Sequence, residues 1–169
     1  DALRWYSVMA NDRRGPLEWI TNHPDVLIGF SDAGAHLRQM AHYNFPLRFL
    51  KLVRDAEQRG EPFMSMERAV YRVTGEPSEW FGMDAGVLAE GRRADVVVVD
   101  PERLDDTLDE AHEAEMKNFG GYVRLVRRNP DTVRAVYVSG KKAVERGELL
   151  AEVGQHKGFG TVLRSGDRL

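Results

Sequence analysis

No cysteine occurs among the 169 residues, which excludes disulfides and thiolate metal sites. Any metal held here takes His, Asp or Glu ligands. Long apolar runs are missing too. The longest, Val96 to Val99, falls far short of the ~20 residues that a membrane-spanning helix needs, so no membrane partner is expected. Charge of one sign is scarce: 24 Lys and Arg stand against 27 Asp and Glu, a net charge of −3. That balance gives no electrostatic argument for nucleic acid or for an anionic surface. The first residues, Asp1-Ala2-Leu3-Arg4-Trp5, lack an initiator Met and a signal-peptide pattern. They read as the interior of a longer protein, and a cytoplasmic setting is expected. What is there, 42% hydrophobic and 30% charged residues, suits one ordinary domain or parts of two.

The most informative stretch is Asp25-Val26-Leu27-Ile28-Gly29-Phe30-Ser31-Asp32-Ala33-Gly34-Ala35-His36. Val26 to Phe30 reads as a buried strand that ends abruptly in Ser-Asp-Ala-Gly. A carboxylate on the loop past the C-terminal end of such a strand is where α/β enzymes keep reactive groups. From this context alone Asp32 reads equally as a reactive group and as a turn residue that bonds its own backbone.

Around it the pattern is α/β. Leu3 to Met9 reads as a strand, Asn11 to Gly15 as a turn, and Pro16 to Asn22 as a short helix with Pro16 in its first turn. With Val26 to Phe30 this makes one β-α-β unit, which favours a parallel sheet. Apolar spacing over Phe45, Phe49, Leu50, Leu52, Val53 and Ala56 predicts a helix from Phe45 to Gln58. Ser65 is a candidate N-cap for a second helix through Thr74, which Gly75 would stop, and Pro77 to Phe81 reads as a further helical turn.

From Met83 the period changes. Val96 to Val99 reads as a strand buried on both faces. A helix is expected around Asp109 to Asn118, with Arg124, Arg127 and Arg128 on a solvated helix face. Val133 to Ser139 and Lys142 to Val144 read as a hairpin about Ser139-Gly140-Lys141. Residues 1–82 therefore look α/β and residues 83–169 mostly β, and neither half is a complete architecture.

Three segments together carry a resemblance. They are Ile28-Gly29-Phe30-Ser31-Asp32-Ala33-Gly34-Ala35-His36, then Glu67 to Pro77 followed by Trp80-Phe81-Gly82, then Gly86-Val87-Leu88-Ala89-Glu90-Gly91-Arg92-Arg93-Ala94-Asp95 running into Val96 to Pro101. In this order they resemble the C-terminal part of amidohydrolase-superfamily enzymes, most closely the N-acyl-D-amino-acid deacylase (D-aminoacylase) group. The third segment is shared by dihydroorotase-like and imidazolonepropionase-like members. The resemblance implies a metal-dependent (β/α)8 barrel (a TIM barrel) with a small β-sandwich. Residues 1–82 would be the last strands and helices of the barrel, and residues 83–169 the C-terminal part of the sandwich. Leu3–Met9 would be the seventh barrel strand and Val26–Phe30 the eighth.

The implied activity is hydrolysis of a C–N amide bond, with an N-acyl amino acid or related amide as small-molecule substrate. The acid after the last strand, Asp32, would bind a divalent metal, zinc foremost, and take a proton from the attacking water. The other metal ligands of the family have no counterpart in this chain, so it is not expected to be active alone. His36, Ser31 and Gly34 are the candidates for contact with substrate, and each has a plain alternative. His36 also reads as a surface or packing histidine, Ser31 as a loop hydroxyl or a partner of the Asp32 carboxylate, and Gly34 as an ordinary loop glycine. His42, Asn44 and Asn11 are weaker candidates.

His23 reads as structural, and Asp95 as fixing the turn before Val96. His112-Glu113-Ala114-Glu115-Met116 lacks the second histidine of a zinc-protease helix, and the glycines from Gly154 to Gly160 open no phosphate-binding helix. Two other classes stay open. One is a non-catalytic assembly module that associates through unpaired strand edges as a homo-oligomer. The other is a non-catalytic small-molecule-binding domain built on the loop from Ser31 to His36.

Overall fold

Helix-favouring spacing and strand-favouring runs separate along the chain, and so do the elements. The computed structural model describes residues 13–29, 31, 33, 41–116 and 120–166. Helices occupy the first part: α1 (Arg14–Asn22), a 3-10 turn (Ala41–Asn44), α2 (Phe45–Gln58), α3 (Met66–Arg72) and α4 (Gly75–Phe81). Strands follow: β1 (Val96–Val99), β2 (His112–Met116), β3 (Tyr122–Val126), β4 (Val133–Val138), β5 (Lys141–Glu145) and β6 (Glu148–Leu149).

The amphipathic spacing of α2 places Phe49, Val53 and Ala56 on its buried face, with Pro46 in the first turn where its missing N–H costs nothing. Phe49 and Val53 pack with Met64 and Ala69, and Ile28, Phe63 and Val73 close over them. This is the core of the helical part. Ser65 caps α3 as expected, its Oγ accepting from Arg68 N at 3.2 Å.

α3 ends at Arg72 rather than Thr74, and Gly75 opens α4 instead of stopping a helix. Packing explains the glycine. A Cβ at Gly75 would stand 2.9 Å from the Tyr71 ring.

All strand ladders among the described residues are antiparallel. They form one sheet in the order β1-β4-β5-β6 and a separate β2-β3 pair. The predicted hairpin is present as β4 and β5, joined through Ser139 and Gly140, both at positive φ (51° and 77°). That combination matches the strand twist of a two-residue turn. Asp95 acts on this turn: its Oδ1 accepts from Ser139 N at 2.7 Å, while Gly140 N donates to the Ala94 carbonyl at 2.8 Å.

Several expectations need correction. The helix expected over Asp109 to Asn118 is replaced by strand β2, paired with β3 from His112↔Val126 to Met116↔Tyr122. Arg124 therefore lies on a strand, and Arg127 and Arg128 follow it, so the three share no helix face. Val96 to Val99 is a strand, but Val97 is 56% and Val98 42% exposed, so neither of its faces is fully covered among the described residues. Leu3–Met9, expected as a barrel strand, lies outside the described residues. Of the other, Val26–Phe30, residues 26–29 are chain outside any ladder. A parallel strand needs neighbours, and no described strand pairs with this segment.

The helical and β parts are stitched by side chains of α2 and the turn before it. Asn44 Nδ2 donates to the Leu108 carbonyl at 2.7 Å and to Asn129 Oδ1 at 3.1 Å. Arg54 donates to the Pro101 carbonyl, and Arg48 and Lys51 pair with Asp109 and Asp106.

Candidate functional site

The loop after Val26–Gly29 carries the candidate chemistry, and its approach is fixed by a buried cation. Arg72, on the last turn of α3, has no exposed surface. A guanidinium there must place its N–H groups on acceptors, because an unpaired buried charge is very costly. It does so on four. Nε donates to the Thr21 carbonyl at 3.0 Å. Nη2 donates to the carbonyls of His23 at 3.1 Å and Val26 at 2.6 Å. Nη1 pairs with Glu76 one turn on. One side chain thus ties the end of α1, its cap and the start of the segment that runs to Ser31. His23 is structural, as expected: it caps α1, and its Nδ1 accepts from Asp25 N at 3.2 Å.

Asp32, Gly34 and His36 lie outside the described residues, and so does Asn11. The residues on either side of Asp32 are described. Ser31 Oγ accepts from the N–H of Ala33 at 3.3 Å, a local turn that a loop hydroxyl makes. The Ala33 carbonyl accepts from the Tyr43 hydroxyl at 3.1 Å.

His42, beside Tyr43 on the 3-10 turn, has its pKa lowered. Burial is the larger cause, and the positive charges of Arg127 and Arg48 add to it. Its neighbour Asn44 spends its amide donors on Leu108 and Asn129, which makes it a structural tie.

Metal chemistry asks for a converging set of ligands. Among the described residues no three His, Asp or Glu side chains gather to hold an ion. The donor set of the loop, the Asp32 carboxylate with the His36 imidazole nearby in sequence, is of the type a divalent ion accepts. It is too few to complete a site without ligands from other strands.

The conspicuous Gly86-to-Pro101 segment makes structure. Arg92 grips the buried Asp84 through Nε at 2.8 Å and Nη2 at 2.6 Å, and Arg93 donates to the Asp84 carbonyl and to Thr161. With Asp95 on the hairpin turn, its charged residues act as a latch between α4, the sheet and the C-terminal tail. His112 and Glu113 lie on β2, where the one-turn spacing of a helical zinc motif does not apply. Residues 154–160 form turns rather than the start of a helix.

Arg72 and Tyr43 are the residues that sequence reasoning missed. An arginine within a short amphipathic helix reads as solvent-facing, and nothing local names its carbonyl partners. Tyr43 had one faint signal, its place just before the Pro46 helix start and after the Asp32 loop.

No family model and no solved structure matches the chain. Over 169 residues, 98% of its length, it is 47% identical to an uncharacterised protein of Mycobacterium tuberculosis and to one of Mycobacterium bovis. The match covers 28% of those proteins, so the chain spans less than a third of the length of the curated relatives it matches. Over 62 residues, 37% of the chain, it is 32% identical to dihydroorotases of Bacillus thuringiensis and Bacillus cereus, covering 13% of each. The chain is thus similar over part of its length to an enzyme of the amidohydrolase superfamily. That similarity does not single out the D-aminoacylase group. No helix among the described residues is long and apolar enough to cross a membrane.

Proposed function

We propose that this chain is the C-terminal part of a metal-dependent amidohydrolase. It would cleave a C–N amide bond in an N-acyl-D-amino acid or related small amide. The partial identity to dihydroorotases carries the reading. The sequence Ser31-Asp32-Ala33-Gly34-Ala35-His36 after an apolar run supports it. So does the anchoring by Arg72 of the segment that leads there.

In this reading Asp32 and His36 face the reacting centre, and further ligands come from strands outside these residues. A divalent ion, zinc for preference, would be held by the Asp32 carboxylate together with ligands from outside these residues, and would supply acidification of a bound water and polarisation of the scissile carbonyl. The Asp32 carboxylate accepts the proton of the attacking water and delivers it to the leaving nitrogen. Ser31, Gly34 and His36 line the approach of substrate.

The test compares the full-length protein with its Asp32→Asn variant. Bound metal is measured by elemental analysis, and hydrolysis of N-acetyl-D-amino acids by release of the free amine. The expected result is a metal-bearing protein whose turnover falls about 10²–10⁴-fold in the variant. A protein that binds no metal, or equal turnover by the variant, overturns the reading.

The exposed β1 favours a second reading. Val97 and Val98 lie open on an edge strand of the described sheet, and such edges associate. A non-catalytic module that assembles through β1 would form oligomers that Val98→Lys disperses, as light scattering would register. A monomer unaffected by that substitution rules it out.

A further inference from the structure

A cleft of about 320 Å³ opens where the two 3-10 turns after β1 (Pro101–Arg103 and Asp106–Asp109) meet the link from β3 to β4. Its base is fixed. Thr132 is 2% exposed, its hydroxyl donates to the Arg103 carbonyl at 2.9 Å, and its N–H donates to the Asn129 carbonyl at 3.2 Å. Asn129 Oδ1 in turn accepts from the buried Asn44 at 3.1 Å. Around this base stand four exposed charged side chains: Arg103, Arg128, Glu110 and Asp131. Among the described residues none of the four enters an ion pair. Arg128 reaches Met116 Sδ at 3.8 Å, a weak acceptor. The two carboxylates that feel the charge of Arg103 are bonded elsewhere, Asp100 to Arg134 and Asp105 to Thr107.

We propose that this cleft binds a small zwitterion of the α-amino acid class, with its carboxylate on Arg103 and Arg128 and its ammonium on Glu110 and Asp131. The charge balance of the lining carries the choice. A ligand of one sign is attracted by one pair of side chains and repelled by the other, whereas a ligand that carries both signs is attracted by each. A guanidinium fork matches the two oxygens of a carboxylate. The size agrees: ligand sites start at roughly 300 Å³, so this cleft suits a molecule of amino-acid size and not a much larger one. Thr132 and Asn129 hold the base in place before any ligand arrives, which lowers the ordering cost of binding. None of these residues belongs to the loop from Ser31 to His36, so the site stands whether or not that loop is catalytic.

The experiment uses the full-length protein and equilibrium dialysis of radiolabelled L-alanine, with acetate and methylammonium as competitors that carry one charge each. Thermal unfolding is followed on the same samples. The expected result is saturable binding that unlabelled alanine displaces and the two competitors displace poorly. Arg128→Ala and Glu110→Gln each raise Kd about 10-fold or more at an unchanged unfolding temperature, since both side chains are exposed. The two variants probe opposite ends of the ligand, so if one unfolds early the other decides. No saturable binding, or binding that the folded variants leave unweakened, overturns the proposal. Acetate displacing as well as alanine does overturns it too, because the cleft then takes plain anions. Asp32→Asn should bind alanine as the parent does; a loss there would place the alanine at the Asp32 loop and remove the cleft from the account, while leaving the hydrolase reading standing.

Discussion

The guanidinium of Arg72 reaches the carbonyl of Val26 at 2.6 Å across 46 residues of sequence. A fully buried cation on α3 thereby fixes the chain that leads to Ser31. The same group satisfies the carbonyls of Thr21 and His23 and pairs with Glu76. Removing it leaves three carbonyl acceptors without this donor and Glu76 with Arg68 as its remaining cationic partner, 3.5 Å away.

Arg72→Met is therefore expected to cost about 3–5 kcal/mol, the range for breaking a buried charge pair. Arg72→Lys keeps the charge but not the fork that spans several carbonyls, and should recover only part of it. Urea unfolding checks both variants. A loss under about 1 kcal/mol for Arg72→Met would mean that the four contacts contribute little net stability.

Gly86 stands at φ +74°, and a Cβ there would come within 2.3 Å of the Thr74 carbonyl oxygen and 2.9 Å of Gly75 N. Both are backbone atoms and cannot swing away. Gly91, at φ +78°, has nothing within 4 Å of such a Cβ. Gly91→Ala should then cost only the left-handed strain, about 1–2 kcal/mol. Gly86→Ala should cost clearly more, because strain and clash add. Thermal unfolding of the pair separates the two terms, and equal losses would refute the close approach.

Local patterns made part of this fold legible. The apolar spacing of Phe49, Val53 and Ala56 sets α2, Ser65 marks the start of α3, and Ser139-Gly140 marks the hairpin. Each of these depends on residues within a few positions. Strand β2 was hidden because Glu113, Ala114, Glu115 and Met116 are good helix formers. Their strand conformation comes from pairing with β3 across the glycines 120 and 121, both at positive φ. Burial of Val96 to Val99 was overestimated because an apolar run shows β preference but not what stacks upon it. The carboxylate of the candidate site could be named from its loop context. Its anchors could not, since Arg72 finds partners 46 to 51 residues away.

His42 titrates below its ordinary 6.5, mainly through burial and then through Arg127 and Arg48. The folded protein thus binds this proton less readily than the unfolded chain. Stability should rise with pH from the folded value up to about 6.5 and level off above it. His42→Gln removes that slope. Urea midpoints between pH 5 and pH 8 check it. A variant with the same slope as the parent assigns the titration to another group. Arg48→Ala should flatten the slope partly, by removing one of the two charges that oppose protonation.

Asp100 is the opposite case. Its carboxyl is held below the usual 3.8, first by Arg134, then by the Glu102 N–H. The contacts are 2.6 Å from Arg134 Nη2 to Oδ2 and 3.0 Å from Glu102 N to Oδ1. A carboxylate with a depressed folded pKa adds stability that is fully present above about 3.8 and is lost as pH falls through the folded value. Asp100→Asn should therefore be less stable than the parent at pH 7, and the difference should vanish in strong acid. The pair is part-exposed, at 32% and 23%, so salt screens it and the difference at pH 7 should shrink in 1 M NaCl. Urea midpoints of parent and variant at pH 7 and pH 2.5, with and without salt, test this. A difference that persists unchanged at pH 2.5 would show that Asp100 acts by shape and hydrogen bonding at the end of β1, and not through its charge.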